Sequence, residues 1–358
     1  MKFGIDHLFT WRGEGSQQAV LRDAVEQAVL ADRLGFDGCW LAEHHFSNYG
    51  IVGHLPTMAA ALAEATERLR IGLAVVVLPF AHPLRLAEEL ALVDVLSGGR
   101  LDVGVGRGYQ PQEFAHFGIP FEEASARFTE ILEVVQLAWT RESFSYEGKF
   151  YNFRDVSVFP RPLQAPHPPV LHAAVSSSTF ERAGRLGVPI LTSPNFTPIE
   201  MVRDNFTAYR KALSDAGYEP TSYDYPMLQQ VYVAEDAAEA RDFPRDYAMF
   251  FYKTLSRLLP NVDHAAIPSD YKEYEKIQHN IERLRYEYLL EHGINVGTPD
   301  QVIERIKILQ QEAGVNYYIG WFNFGGMPHD KVLRSMMLFA DEVMPAFQRD
   351  GRPGRRDD

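Results

Sequence analysis

The stretch LRIGLAVVVLPFAHPLRLAEELALVDVLSGGRLDVGVGRG, residues 69–108, contains the repeating unit of the fold. Residues 69–79 form an apolar run rich in β-branched side chains, which is typical of a buried strand. Residues 83–97 have apolar side chains at helical spacing, and residues 100–108 return to a strand pattern. A strand, a helix and a strand in this order predict two parallel strands joined by a crossover helix.

The same alternation extends from the first residue to about Phe347. Eight segments have strand patterns: KFGIDHLF, DGCWLAE, LRIGLAVVVLP, RLDVGVGRG, PPVLHAAV, VPILTS, YPMLQQVYVAE and VNYYIGWF. Helical patterns lie between them, and AAEARDFPRDYAMFFYKTLSRL is interpreted as one helix. Eight strands over this length favour an α/β fold of the closed (β/α)₈ TIM barrel type over an open doubly wound sheet. We expect residues 1–348 to form this single domain.

Two insertions interrupt the alternation. Residues 145–169 are rich in aromatic residues and proline and predict a hairpin-like excursion. Residues 259–295 follow the seventh strand, where barrel insertions usually cover the active-site mouth. Thr298 and Gln301 then fit a capping box that restarts helical structure. Residues 349–358 are polar and are expected to form a flexible tail.

Composition narrows the class of protein. The 358-residue chain has 46% hydrophobic residues and a formal net charge of −13. This acidic balance argues against a nucleic-acid partner, because such partners require a basic face. The chain shows no apolar segment typical of a signal peptide or membrane span, so we expect a soluble cytoplasmic protein without a membrane partner. The single cysteine, Cys39, excludes an internal disulfide and a cysteine-cluster metal site.

The segment AEHHF, residues 42–46, ends the second predicted strand with a carboxylate and two imidazoles. Successive strand side chains point to opposite faces, so His44 and His45 are poorly placed to bind one metal ion, and we predict no metal site. At the carboxyl end of a barrel strand a histidine can exchange protons near neutral pH. The alternative is a structural histidine that hydrogen-bonds a neighbouring loop.

The segment VGVGRGYQPQEF, which ends the fourth predicted strand, places glycines around Arg107. It fails as a dinucleotide fingerprint, because the glycine spacing is wrong and the nearest convincing helix starts near Glu123. Small residues instead allow the guanidinium of Arg107 to approach an anionic group.

The segment AAVSSSTFERAG follows the fifth predicted strand and begins a helix. Its hydroxyl run, from Ser176 to Thr179, suits phosphate binding at a helix N-terminus, although one hydroxyl would suffice for capping. Two anion-suited elements at one barrel mouth indicate a phosphate-bearing cofactor.

Over nearly its whole length the sequence resembles the bacterial luciferase-like flavin-dependent monooxygenases, and in particular the luciferase alpha subunit. The segments that carry this resemblance are GFDGCWLAEHHF, AVVVLPFAHPLRLAEELALVDVLSGGRLDVGVGRG, PPVLHAAVSSSTFERAGRLGVPIL and INVGTPDQVIERIK. The resemblance implies a (β/α)₈ enzyme that binds reduced FMN and reacts it with O₂ to a C4a-hydroperoxyflavin. This species would oxidise a small apolar or aromatic organic substrate in a pocket that excludes water.

The resemblance also implies roles for individual residues. His44 matches the family's acid/base, with Glu43 near the flavin. Ala74 and Val75 match the place where the backbone runs under the isoalloxazine ring, often through a cis peptide. Arg107 matches the arginine that binds the flavin phosphate.

Ser176 and Thr179 match the hydroxyl part of the phosphate site, and the expected cofactor-binding set also includes Tyr109, Val175 and Ser177. The luciferase alpha subunit has glutamate at the position of Val175, where a backbone N–H can still bind phosphate. It also has a reactive cysteine where this chain has Gly106, and a pocket tryptophan where this chain has Pro194. We therefore do not expect light emission from a long-chain aldehyde.

The same barrel serves enzymes that use the deazaflavin F420 for hydride transfer, and it serves non-catalytic flavin-binding relatives. These are the two alternatives to a monooxygenase.

The family mechanism further implies a separate NAD(P)H:flavin reductase as the source of reduced FMN. It also implies a homodimer in which the segment LPTMAAALAEA contacts the partner subunit. Arg283 or Arg285 in the second insertion is expected to approach the flavin. Aromatic residues near the strand ends are expected to line the pocket: Phe9, Trp11, His45, Tyr109, Phe196, Trp321 and Phe324.

Overall fold

The computed structural model describes residues 1–193, 198–259 and 284–347. Eight parallel strands form its central sheet: β1 (Lys2–His7), β2 (Gly38–Leu41), β3 (Arg70–Val77), β4 (Leu101–Gly106), β7 (Val170–Ala173), β8 (Ile190–Leu191), β9 (Pro226–Val233) and β11 (Tyr317–Trp321). Their order is β9-β11-β1-β2-β3-β4-β7-β8. The amide of Leu228 in β9 donates to the carbonyl of Thr192, just after β8, at 3.2 Å. The two edges therefore meet, and the predicted (β/α)₈ barrel is confirmed.

Helices cover the outside of the barrel. They are α1 (Gln17–Leu34), α2 (Leu55–Ala65), α3 (Pro83–Leu96), α4 (Pro111–Phe117), α5 (Ala124–Thr140), α6 (Ser177–Leu186), α7 (Ile199–Asp215), α8 (Ala237–Asp242) and α9 (Arg245–Leu258), followed by Tyr286–His292, Pro299–Ile308 and His329–Leu338. None of these described helices combines the length and apolar character that a membrane span requires.

Two predicted helix boundaries were wrong. The helix expected over residues 237–258 is divided into α8 and α9 by Phe243 and Pro244, because proline has no N–H to continue the hydrogen-bonding pattern. The sequence after β4 was expected to stay irregular until Glu123, whereas α4 begins at Pro111. This helix has only seven residues, too few for a clear periodic signal.

Other local predictions are confirmed. In the first insertion, β5 (Phe144–Glu147) and β6 (Asn152–Val156) pair as an antiparallel hairpin. The carboxylate of Glu130 fixes its turn by accepting hydrogen bonds from the amides of residues 149–151 at 2.7 to 3.1 Å. The capping box of Thr298 and Gln301 is present.

One short strand was not predicted. β10 (Asn295–Gly297) extends the sheet beside β9, outside the eight barrel strands. Residues 260–283 of the second insertion and residues 348–358, which include the tail, lie outside the described residues.

The barrel interior is packed, so space for a ligand is confined to its carboxyl end. Trp40 and Tyr317 point inward from β2 and β11, and the indole N–H of Trp40 donates to the hydroxyl of Tyr317 at 2.9 Å. Glycines make room for them: a Cβ at Gly4 would lie 2.9 Å from the Tyr317 hydroxyl. At the amino end, Arg70 closes the interior through an ion pair with Asp102 at 2.6 Å.

Candidate active site

A cavity of about 500 Å³ lies at the carboxyl ends of the barrel strands. This is where a (β/α)₈ protein places its functional groups, because the loops after the strands converge there. The residues predicted from sequence that line it are Glu43, His44, Ala74, Val75, Arg107, Tyr109, Val175, Ser176 and Thr179. Ser177 does not line it. Its hydroxyl donates to the side-chain oxygen of Asn205 at 2.8 Å.

One end of the cavity is rich in hydroxyl and guanidinium groups. The hydroxyl of Ser176 lies 2.8 Å from that of Thr179 and 3.0 Å from that of Ser178. Ser176 occupies the N-cap of α6, yet its side chain makes no capping hydrogen bond. Capping alone therefore does not explain this run of hydroxyls. Arg107 reaches the same end and donates to the hydroxyl of Ser125 at 2.9 Å.

Two further arginines, Arg182 and Arg185, line this end and were missed from the sequence. They follow Ser178 by one and two helical turns, so the i, i+4 and i+7 spacing along α6 was the available signal. Together with Arg107 and the free amides of the helix N-terminus, they provide an environment that favours a phosphate dianion.

His172 in β7 also lines the cavity. Burial, and to a smaller extent the charge of Arg182, lower the pKa of His172 from 6.5 to about 4. His172 is therefore neutral at pH 7, and the positive charge at this end comes from the arginines.

Small groups and an unusual peptide bond form the middle of the cavity. The peptide bond between Ala74 and Val75 is cis, as the family resemblance implies. Gly106 faces Val75, and a Cβ at Gly106 would lie 2.5 Å from a methyl carbon of Val75. Gly106, at the position where the resemblance places a cysteine in the luciferase alpha subunit, thus makes room for the valine side chain. Ala74, Val75 and Gly106 thus line the middle of the cavity with small apolar groups, which leave room for a ring.

The opposite end contains buried ionisable groups. Glu43 is 8% exposed. Its carboxylate accepts the backbone N–H of Val77 at 3.3 Å and lies 3.0 Å from Nε2 of His45. The backbone N–H of His45 donates to Glu113 at 2.9 Å. These contacts fix Glu43 and the turn after β2.

The ring of His44 is held through one nitrogen. Its Nδ1 lies 3.0 Å from Nε2 of Gln110 and 3.4 Å from Oε1 of Glu113. Gln110 and Glu113 are 0% and 1% exposed. Neither residue was predicted, because Gln110 is the N-cap of the unpredicted α4, Glu113 lies within it, and no spacing relates them to His44.

Tyr109 connects this end to the barrel interior. Its hydroxyl is hydrogen-bonded to that of Tyr49 and lies 3.4 Å from Nε2 of Gln110. Burial raises the pKa of Tyr109 to about 12, so its hydroxyl keeps its proton at neutral pH. Tyr49 in turn packs edge-on against the His44 ring, with centroids 4.6 Å apart.

The other described residues that were predicted to line the pocket do not line the first cavity. His45 lines a second cavity of about 390 Å³, which shares Glu43 with the first. Phe9, Trp321 and Phe324 are fully buried, and the indole of Trp11 donates to the carbonyl of Glu14. Arg285 forms the N-cap of the helix Tyr286–His292, whereas Pro194, Phe196 and Arg283 lie outside the described residues. Within the described ranges no three His, Cys, Asp or Glu side chains cluster as metal ligands do.

A sequence model of the luciferase-like monooxygenase family matches residues 1–317. The chain therefore belongs to this family, and the predicted class, a flavin-dependent monooxygenase, is confirmed. The alkanal monooxygenase alpha chain of the Kryptophanaron alfredi symbiont is 29% identical over 96% of this chain and 98% of its own length. The oxygenase component of flavin-dependent trigonelline monooxygenase from Acinetobacter baylyi is 27% identical, over 95% of this chain and 94% of that protein.

Solved structures give the same result. Monooxygenase RslO1 from Streptomyces bottropensis is 32% identical and superimposes with a TM-score of 0.83, over 97% of this chain and 100% of that chain. The oxygenating constituent of 3,6-diketocamphane monooxygenase from Pseudomonas putida, in complex with FMN, has a TM-score of 0.81 at 20% identity, over 98% and 100%. An F420-dependent secondary alcohol dehydrogenase has a TM-score of 0.74 at 19% identity, again over 98% and 100%. At these two lower identities the likeness shows the fold alone.

Proposed function

We propose that this chain is the oxygenase component of a two-component, FMN-dependent monooxygenase that acts on a small apolar or aromatic substrate. The observation that carries the proposal is the polarity of one cavity: an anion-suited end, an apolar middle and an end with buried carboxylate and imidazole groups. This arrangement matches the phosphate, the ring and the reactive side of a flavin mononucleotide. Reduced FMN would supply the electrons that activate O₂.

The residues of the chain have separable tasks in this proposal. Arg107, Ser176 and Thr179 bind the phosphate, and Arg182 and Arg185 add positive charge. The backbone of Ala74 and Val75 supports the ring, with the backbone of Val175 and the side chains of Tyr109 and Glu43 at its edges.

His44 is the proposed acid/base. Its Nδ1 faces Gln110 and Glu113, so Nε2 is the nitrogen that exchanges a proton with bound molecules. Glu113 stabilises the ring when it carries the positive charge, because a buried carboxylate next to an imidazolium compensates that charge.

The relatives favour FMN over F420 as the cofactor. Two proteins that align along almost the whole chain are named as monooxygenases, one of them at 32% identity, whereas the F420-dependent neighbour shares only the fold. Binding distinguishes the two cofactors directly. We expect FMN to bind with at least tenfold higher affinity than F420 in a fluorescence titration.

The remaining parts of the proposal concern partners. One relative is named as an oxygenase component, which supports a separate reductase partner. We propose that this partner is an NAD(P)H:flavin reductase that supplies reduced FMN, and that both proteins are cytoplasmic. A homodimer is supported by the exposed apolar side chains of Leu92, Val95 and Leu96 on α3. Helix α3 packs beside α2. Sedimentation velocity of the full chain measures the oligomeric state.

Rapid mixing tests the function. The protein is loaded with photoreduced FMN and mixed with aerated buffer while the visible absorbance of oxidised FMN is followed. We expect the wild type to return this absorbance in a slow phase that free FMN lacks, because the site shields the reacting flavin from water. His44→Ala should retain FMN and change the rate of the slow phase by about 10² or more.

His116→Ala is the matched control, because His116 is an exposed histidine of α4 outside the cavity, and it should behave as the wild type. Reoxidation of the wild type with the kinetics of free FMN would overturn the monooxygenase proposal. Hydride transfer to F420 would then be tested, and retention of flavin without turnover would indicate a non-catalytic flavin-binding protein.

A further inference from the structure

Three residues lie at the same level on neighbouring strands of the barrel mouth. Ile5 is paired with Gly320, so the next residues, Asp6 of β1 and Trp321 of β11, are level with each other. Trp321 is paired with Gln230 of β9. In the order of the eight strands, β9, β11 and β1 lie opposite β3, β4 and β7, which carry the proposed flavin site.

Asp6 and Gln230 point into the barrel. Gln229 faces outward, since its side-chain oxygen accepts from the Tyr318 hydroxyl at 3.1 Å and the Tyr318 ring stacks on Phe339 of the outer layer. Strand side chains alternate, so Gln230 faces inward.

The same reasoning applies to β1. His7 faces outward, where its Nδ1 accepts from Asn323 at 2.6 Å and Asn323 also contacts Gln27 of α1. Asp6, the preceding residue of the strand, therefore faces inward.

Both inward side chains have polar atoms without a partner. Gln230 is 0% exposed, and neither its amide nitrogen nor its oxygen has a hydrogen-bond partner among the described residues. The Oδ1 atom of Asp6, which is 4% exposed, also has none there. A buried polar group left unpaired costs about 1–3 kcal/mol, so three such atoms in one layer need an explanation.

The layer adjoins the proposed flavin cavity and has an aromatic wall. Leu228 lines that cavity and is the inward residue of β9 that precedes Gln230. Tyr109 also lines it and is hydrogen-bonded to Tyr49, which lies near Asp6. The ring of Phe251 stacks on Tyr49 and packs edge-on against Trp321, with centroids 5.3 and 4.7 Å apart.

We propose that Gln230 and Asp6 form the substrate-recognition subsite, and that the substrate is a neutral planar ring carrying a hydrogen-bond acceptor next to a donor, as in a lactam. The proposal rests on the proposed function, because it assigns the opposite half of the mouth to the flavin.

The chemistry of the two side chains selects such a ligand. A primary carboxamide whose two polar atoms are free can donate to a carbonyl and accept from the adjacent N–H at the same time. Burial raises the pKa of Asp6 well above its usual value, which favours the protonated carboxyl group, a hydrogen-bond donor. The carboxamide of Gln230 is uncharged and favours a neutral partner, and the aromatic wall suits a flat ring.

Two isosteric probes test the proposal on the full chain without FMN. 2-Quinolone carries adjacent N–H and C=O groups, and coumarin replaces the N–H with an ether oxygen. Titrations followed by tryptophan fluorescence should show 2-quinolone binding about tenfold more tightly than coumarin, because coumarin leaves the Gln230 oxygen unpaired.

Gln230→Leu should remove this preference, whereas Gln229→Leu, the outward-facing neighbour, should keep it. Gln230→Met, which has a flexible apolar side chain, should remove the preference as well. The thermal midpoint of Gln230→Leu should equal or exceed that of the wild type, because the variant loses an unpaired buried amide. A clear fall in the midpoint, to be expected if the amide has a structural role, would overturn the proposal.

Equal affinity of the wild type for the two probes, including no detectable binding of either, would mean that the polar atoms bind buried water only. An unchanged preference in Gln230→Leu would also overturn the proposal. FMN is titrated separately: if Gln230→Leu weakens FMN binding tenfold, Gln230 contacts the flavin and the substrate assignment is wrong. Failure of the wild type to bind FMN would instead overturn the proposed function.

Discussion

The two ends of the cavity are built in different ways. The hydroxyl–arginine end, formed by Arg107, Ser176, Thr179, Arg182 and Arg185, comes from two short chain segments and is partly open to solvent. The carboxylate–histidine end, formed by Glu43, His44, Gln110 and Glu113, is buried. Its central contact joins residues 69 positions apart.

The difference fits the task that we propose for each end. A phosphate is recognised by charge and by donors that a helix N-terminus supplies locally, so exposure to water is tolerated. Proton exchange at one imidazole nitrogen requires that the other nitrogen be fixed, and burial makes those hydrogen bonds strong. Mutations at the first end should therefore change FMN affinity, whereas mutations at the second should change the rate.

Among the variants that distinguish the two ends, we expect the largest effect, a loss of FMN affinity, for Arg107→Ala. Loss of a guanidinium that bonds a phosphate should weaken FMN binding by about 10- to 100-fold, since charge-assisted hydrogen bonds contribute about 1.5–3 kcal/mol. Fluorescence titration of FMN measures this. Arg33→Ala removes an equally charged, exposed arginine that lines neither of the two cavities and should leave the affinity unchanged. Equal losses in the two variants would show that only overall charge matters.

The next effect is expected for Glu113→Gln. The substitution keeps the size of the side chain and an oxygen for the His45 amide, but removes the charge beside His44. We expect the slow phase of flavin reoxidation to change about tenfold in rate, with FMN affinity within about twofold of the wild type. Stopped-flow absorbance and titration give the two numbers. A variant that loses FMN affinity while reacting at the normal rate would contradict the division between the two ends.

The smallest effect concerns His172 and the pH dependence of stability. The pKa of His172 is lowered to about 4 in the folded protein, so the unfolded chain binds one more proton between about pH 4 and 6.5. This group therefore makes the free energy of unfolding rise with pH across that window, by at most about 1.4 kcal/mol per pH unit. His172→Gln removes the titration and should lose less stability than the wild type between pH 6.5 and 5, as measured by urea unfolding. Parallel pH profiles would show that His172 is not held neutral.

Strong local patterns made most of the barrel predictable. The eight barrel strands were recognised because each is a short apolar run between helices with clear periodicity, and the capping box of Thr298 and Gln301 is a local signal. Both β10 and α4 were missed because they are short. The three residues of β10 show no alternation, and the seven residues of α4, three of them phenylalanine or histidine, show no clear helical period.

Prediction of the site was uneven for a related reason. Arg107 and the hydroxyls of Ser176 and Thr179 stand out locally, and the cavity brings them together. The partners of His44 do not stand out, because Gln110 and Glu113 acquire their meaning only when α4 folds over the end of β2. A sequence pattern does not show where each side chain points. Ser177 belongs to the run of hydroxyl residues, but its side chain bonds Asn205 instead of lining the cavity.

The sequence by itself determined the alternation of strands and helices, the positions of the two anion-suited segments along the chain, and the presence of a candidate acid–base histidine at the end of β2. These depend on hydrophobic period and on residue type within a few positions. Only the tertiary structure decided which side chains face one another, from the contact of Glu113 with His44 to the unpaired amide of Gln230. Such relations depend on barrel closure and strand register, which bring together residues far apart in the chain and are not encoded in any short segment.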